Sequence, residues 1–202
     1  MKYLVFILST FATFCTGKDN YTKALPNHAT KNFIVSKPEN QEEIVLAGGC
    51  FWCLEAIYQD LYGVIKVESG YSNGLFANPS YDQVCTGKTG HAEVVRLTYD
   101  TSVINLDEIL TVFWTMHDPT TLNRQGNDSG TQYRSGIYFF TEKQKKVAQH
   151  SLNTTAKEIW GDNITTEILP VKNYSSAESY HQSYYTNNPN QSYCRFIINP
   201  KV

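Results

Sequence analysis

Apolar and polar positions along this chain switch between two periods, and the order of the switches predicts a fold. "EIVLAGG" (43–49) is a short continuous apolar run closed by glycines, which predicts a buried strand. "CFWCLEAIYQDLYG" (50–63) changes to helical spacing and predicts a helix ended by Gly63. "VIKVESGYS" (64–72) alternates as a strand does, and "NGLFANPSYDQVCTGKTG" (73–90) is a long irregular stretch of turn residues. "HAEVVRLTYD" (91–100) predicts another strand. In "NLDEILTVFWTMHD" (105–118), Leu106, Ile109, Leu110 and Phe113 share one helix face behind an Asn105 N-cap. A second polar stretch, "PTTLNRQGNDSGTQYRS" (119–135), precedes the strand "GIYFF" (136–140). Thr141 with Gln144 then reads as a capping box opening a helix through Trp160. "TTEILPV" (165–171) predicts a strand, "AESYHQSYYTNN" (177–188) a short helix, and 189–202 an irregular tail. The order strand, helix, strand, strand, helix, strand from Glu43 to Phe140 is a split βαβ pattern. It predicts an α+β fold with helices on one face of a mostly antiparallel sheet.

The first residues follow another logic. Lys2 and the apolar run from Tyr3 to Phe14 have the length of an export-signal core and are too short to span a bilayer. Residues 1–17 are therefore expected to be an export signal cleaved after Gly17. The alternative is a lipoprotein signal with Cys15 acylated, against which the bulky Phe14 weighs. Residues 18–42 are polar and read as a spacer, and 43–202 as one domain. Export places the domain in a periplasm, on a membrane through a lipid, or outside the cell.

Composition narrows the function. A net charge of −2 with a pI near 6.2 gives no field that would draw nucleic acid. Five cysteines are too few for a dense disulfide framework, and Cys50 and Cys53 have no second pair at metal spacing. No metal or organic cofactor is expected. Six N-x-[ST] sequons, at Asn20, Asn127, Asn153, Asn163, Asn173 and Asn190, are what chance gives in a chain rich in these residues.

Cys50 follows Gly-Gly at the first turn of a predicted helix, where free N–H groups and the helix dipole favour a thiolate, so its pKa is expected to fall. Cys53 lies one turn on, on the same face. The pair reads as a redox or nucleophilic thiol ahead of a static clip or a zinc half-site. Phe51 and Trp52 suggest a pocket for an apolar group. Glu93, at the start of an apolar strand, suits a carboxyl whose pKa burial raises and which gives up a proton as a general acid.

Together "GGCFWCLE", "SGYSNG", "NPSYDQVCTGKTGHAEVV", "HDPTTLNRQGNDSGTQYRS" and "YHQSYYTNNPNQSYC" make residues 43–202 resemble the A class of peptide methionine sulfoxide reductases. The resemblance implies a ferredoxin-like two-layer sandwich with long functional loops. It implies that Cys50 attacks the sulfoxide sulfur, that Phe51 and Trp52 hold the methyl group, and that Glu93 protonates the oxygen. Tyr81 and Tyr133 would hydrogen-bond that oxygen, and Asp128 would position substrate and water. A chiral sulfoxide in such a pocket is accepted as one epimer, here the S form. Cys50 sulfenic acid would then condense with Cys53 or Cys194, and thioredoxin or a thioredoxin-like donor would reduce the disulfide. Substrates would be oxidised proteins and free methionine sulfoxide, and the enzyme a monomer. Cys85 is expected to be a bystander, His91 and His181 to support the site, and His117 to cap its helix. The competing reading is a thiol–disulfide oxidoreductase using Cys50 and Cys53 alone.

Overall fold

The computed structural model describes residues 40–202. The expected export signal, Cys15, Asn20 and most of the spacer lie outside the described residues. In chain order the elements are β1 (Gln41–Gly48), α1 (Phe51–Tyr58), β2 (Val64–Ser72), α2 (Tyr81–Cys85), β3 (Ala92–Asp100) and α3 (Leu106–Met116). They continue through β4 (Arg124–Gln125), β5 (Asp128–Ser129), β6 (Ser135–Phe139), α4 (Glu142–Ser151), α5 (Lys157–Trp160), β7 (Glu167–Pro170), β8 (Ser175–Ser176) and α6 (Tyr184–Asn187).

The main sheet has the order β7-β6-β1-β3-β2-β8. Its middle, β6-β1-β3-β2, is the antiparallel arrangement of a split βαβ pair, and β7 joins β6 in parallel. Strand alternation divides the buried residues between the faces. Ile44, Leu46, Val95 and Leu97 pack with Leu54 of α1 and Ile109, Leu110 and Phe113 of α3. Val45, Ala47, Ala92 and Val94 point the other way, under Val171 and Tyr174 rather than a helix. Trp114 is fully buried in the helical layer, and its indole N–H donates to Ser151 Oγ at 3.0 Å. Among the described residues, no helix is long and apolar enough to cross a membrane.

The local start signals act as expected where their partners are neighbours. Asn105 caps α3 in a full capping box with Glu108. Thr141 Oγ1 accepts from Gln144 N–H at 3.2 Å, but the Gln144 amide serves Phe140 N–H and Glu43 O, leaving half a box. Three expectations need correction. First, α1 stops at Tyr58, and Gly63 is the turn into β2: its φ is +96°, and a Cβ there would meet Ile104 at 2.6 Å. Second, the helix through Trp160 is interrupted by a π turn at Leu152–Ala156. Third, 177–188 is a 3₁₀ turn (Ser179–His181) and the four-residue α6, divided by a left-handed Ser183 at φ +51°. The irregular stretch 73–90 contains α2, opened by a Ser80–Gln83 capping box that the sequence reading passed over.

Candidate active site

β1 ends and α1 begins across Gly48, Gly49 and Cys50. Gly49 has φ +89°, and a Cβ on it would lie 2.6 Å from the Gln125 side chain, so only glycine lets the chain turn here. Cys50 is the N-cap of α1, in extended backbone, and its sulfur caps no N–H. The first helical N–H, that of Phe51, instead donates to Glu93 Oε2 at 3.2 Å. Glu93 lies on the helix-facing side of β3, level with Tyr71 of β2, and is 1% exposed. Burial raises its pKa to about 8, against the Phe51 N–H, with the charges of Asp128 and Cys53 adding to the rise. Glu93 is thus mostly protonated at neutral pH.

The expected fall in the Cys50 pKa does not occur. Its thiol is 7% exposed, and its pKa is pushed well above the usual thiol range. Burial is the main cause, followed by the hydrogen bond with Cys53 and the Glu93 charge; a hydrogen bond with the Tyr193 hydroxyl works the other way. The helix start still favours an anion. However, its leading N–H is taken by Glu93, and desolvation outweighs what remains.

Around these two groups the fold gathers the other residues singled out in the sequence. Burial and then the Glu93 and Cys50 charges raise the Tyr133 pKa, while Tyr81 is raised by burial and by a hydrogen bond with Cys85. Both phenols keep their protons and serve as donors. Phe51, Trp52 and Tyr81 form an aromatic wall around His181, with ring centroids 5.0, 5.5 and 4.5 Å from the imidazole. His181 is buried, and burial lowers its pKa, so it stands there as a neutral ring. Cys50, Cys53, Asp128 and Tyr193 help line a cavity of about 340 Å³, together with Gln125 and Phe196. Asn127 also lines it, so a glycan on that sequon would stand in the way of substrate.

Cys53 and Cys194 are both buried thiols, and Cys194 lies close enough to feel the Cys53 charge. Cys85 is exposed and hydrogen-bonds Tyr81. His117 caps α3 through Phe113 O at 2.7 Å and reaches Ser135 Oγ at 2.8 Å. His91 packs where a Cβ on Gly74 would come within 2.0 Å of its ring, which fixes the loop before α2. Among the described residues, no group of three His, Cys, Asp or Glu side chains is placed to hold a metal ion.

Two aromatic residues escaped the sequence reading. Tyr193 donates to Asp128 Oδ2 at 2.9 Å, bonds Cys50, and sets its ring edge-on to Trp52 at 5.8 Å. Its position directly before Cys194 was the available signal. Tyr184 lies flat on Trp52, at 3.7 Å and 9° between planes. Nothing local marks it, because 132 residues of chain separate the two rings.

The arrangement suits two-electron chemistry at an S=O bond: a shielded thiol, a neutral acid beside it, phenol donors, an apolar wall and further thiols in sequence. Comparison with known proteins agrees. The family described as peptide methionine sulfoxide reductase matches residues 42–202. The peptide methionine sulfoxide reductase MsrA of Leptospira borgpetersenii serovar Hardjo-bovis (strain L550) is 52% identical over 161 residues, covering 80% of this chain and 91% of its own. Among solved structures, Mxr1 from Saccharomyces cerevisiae in reduced form aligns with a TM-score of 0.73 and 38% identity, over 81% of this chain and 94% of that one. The same yeast protein in complex with Trx2 aligns with a TM-score of 0.51 and 28% identity, over 76% and 91%. With four-fifths of its length matched, including every element that builds the site, the chain belongs to the peptide methionine sulfoxide reductase family.

Proposed function

We propose that this protein reduces methionine-S-sulfoxide, free and within proteins, to methionine, with Cys50 as nucleophile and Glu93 as acid. The observation that carries this reading is the Glu93 carboxyl, buried beside Cys50 with a pKa of about 8. A sulfoxide sulfur is a poor electrophile until its oxygen gains a proton, and Glu93 holds one at neutral pH. As Glu93 gives its proton to the oxygen, the Cys50 thiol gives up its own, which returns Glu93 to the acid form. The Glu93 charge therefore never persists against the developing thiolate. Tyr81 and Tyr133 donate hydrogen bonds to the oxygen, and the wall of Phe51 and Trp52 receives the methyl group.

Overall, Cys50 thiol and methionine sulfoxide become Cys50 sulfenic acid and methionine: two electrons pass from the Cys50 sulfur to the substrate sulfur. The sulfenic acid then condenses with the Cys53 thiol, forming a disulfide and releasing water. Cys53 comes first because it hydrogen-bonds Cys50. Cys194 follows, since the charge acting on it is that of Cys53. Its thiolate attacks the Cys53 sulfur, frees Cys50, and leaves a Cys53–Cys194 disulfide for an external dithiol. The complex of yeast Mxr1 with Trx2 supports a thioredoxin or thioredoxin-like protein as that dithiol. The enzyme works as a monomer, exported by residues 1–17 to a periplasm or the cell exterior, with acylation of Cys15 as the route to a membrane.

The test is a single turnover without external reductant, using separate S and R epimers, with thiols counted and disulfides mapped. Methionine from the S epimer alone, with two thiols lost per methionine, is the expected result. No methionine from either epimer, with the protein folded and its thiols reduced, would overturn the reading in favour of plain disulfide exchange.

A further inference from the structure

The segment after β8 reaches the aromatic wall from outside the sheet, and three side chains hold it there. Glu178 accepts from the Tyr71 hydroxyl at 2.8 Å and from Tyr81 N–H at 2.9 Å. The Gln182 amide pairs with the backbone of Ser69 in both directions, at 3.0 and 2.9 Å. The third side chain, Glu55, comes from α1 itself. Its two oxygens accept the backbone N–H groups of Ser183 at 2.8 Å and Tyr184 at 3.1 Å.

Glu55 is 3% exposed, and a carboxylate so buried is costly unless it is hydrogen-bonded. Its two bonds from backbone N–H groups go to the one point where the segment takes a left-handed turn, Ser183 at φ +51°, which an L residue adopts only at some cost. The residue after that turn is Tyr184, whose ring lies flat on Trp52. Trp52 and Glu55 are three apart on α1 and so share a face of the helix. The catalytic helix thus reaches back to hold the segment that holds its own indole.

We propose that Glu55 is a positioning residue for sulfoxide binding: by fixing Ser183 and Tyr184 it sets the Tyr184 ring on Trp52 and so fixes the indole plane that receives the substrate methyl group. The inference rests on the reading of Trp52 as part of the methyl pocket. Glu55 touches no reacting atom, so its loss acts on substrate binding more than on the chemical step.

The test uses the full chain labelled with 5-fluorotryptophan, whose three tryptophan resonances are separated by assigning Trp52 through Trp52→Phe. Glu55→Gln replaces one acceptor oxygen by a donor facing an N–H. The Trp52 resonance moves while those of Trp114 and Trp160 stay. KM for a methionine-S-sulfoxide peptide rises on the order of ten-fold, with kcat within about two-fold. Tyr184→Leu, which removes the stacked ring itself, gives the same two changes, and Glu55→Asp, whose shorter stem withdraws the carboxylate from both N–H groups, decides if Glu55→Gln does not fold. An unmoved Trp52 resonance or an unchanged KM in the folded variants overturns the proposal. Wild-type protein inactive on either epimer would count against the reductase reading instead, leaving the resonance to judge Glu55.

Discussion

The two halves of the site are built from different material. Cys50 and Glu93 sit where β1 meets α1 and at the start of β3, and β1 and β3 are neighbours in the middle of the sheet. Tyr184, Tyr193 and Cys194 sit on chain that follows the last strand, where regular structure shrinks to the four-residue α6 and a π turn at Cys194–Ile198. The chemistry that needs fixed distances rides on the part hardest to deform. Cys194, which the proposed relay requires to change partners, sits on a segment with little hydrogen-bonded ladder of its own. The catalytic pair is placed by the sheet, and the chain beyond it by single side-chain bonds from Glu55, Glu178 and Gln182.

Replacing Glu93 by Gln is the sharpest way to break this comparison, because it strikes the rigid half. Turnover of the S epimer is expected to fall by about 10²–10⁴, while exchange between a Cys50–Cys53 disulfide and an external dithiol continues; steady-state kinetics with each substrate would show it. The same variant changes stability in a calculable direction. The folded pKa of Glu93, about 8, lies above its usual 4.5, so the unfolded chain sheds this proton first as pH rises. Stability therefore declines between those values, by a few kcal/mol in all. Burial also raises Glu55, which adds to the same slope. Urea unfolding at about pH 5 and about pH 8 should show the decline in wild type and a clear lessening of it in Glu93→Gln.

Thiols other than Cys50 give the next effects. With Cys194→Ser, the first methionine forms at the wild-type rate and the protein stops at a Cys50–Cys53 disulfide, so thioredoxin-driven turnover falls by about ten-fold or more. With Cys53→Ser, the first methionine again forms, but sulfenic acid accumulates and is trapped by dimedone. Equal trapping in both variants would remove the order of thiols argued above. The smallest effect is expected at Cys85→Ser, where a hydroxyl keeps a partner for Tyr81 and turnover stays within about two-fold.

Reading the chain correctly depended on how far apart the interacting residues lie. Asn105 and Thr141 announce their helices because a cap is completed within a few residues. The strands around Ile44 and Val95 were legible as apolar runs bounded by turn residues. Gly63 misled, because a glycine after a helical pattern reads as a helix stop when here it makes room for Ile104. The Cys50 pKa departs from what its neighbours in sequence imply for a similar reason. The helix start is written locally, but the burial opposing it comes from the closed fold and the Glu93 charge from β3, 43 residues on. Cys50, Phe51, Trp52 and Glu93 stand out from their local sequence, whereas Tyr81, Tyr133 and Asp128 stand out only through the family motifs. Tyr184, Glu55 and Tyr193 act through contacts that only the closed fold creates.

The raised pKa of Cys50 has a consequence for survival in oxidising surroundings. Peroxides and electrophiles attack thiolates, and a sulfur that keeps its proton when no substrate is bound presents them with a poor target. A catalyst that repairs oxidative damage is exposed to the agents that cause it. Under the mechanism proposed above, that proton leaves only as a sulfoxide takes up the one held at Glu93, so damage to the enzyme and repair by it draw on different states of one atom.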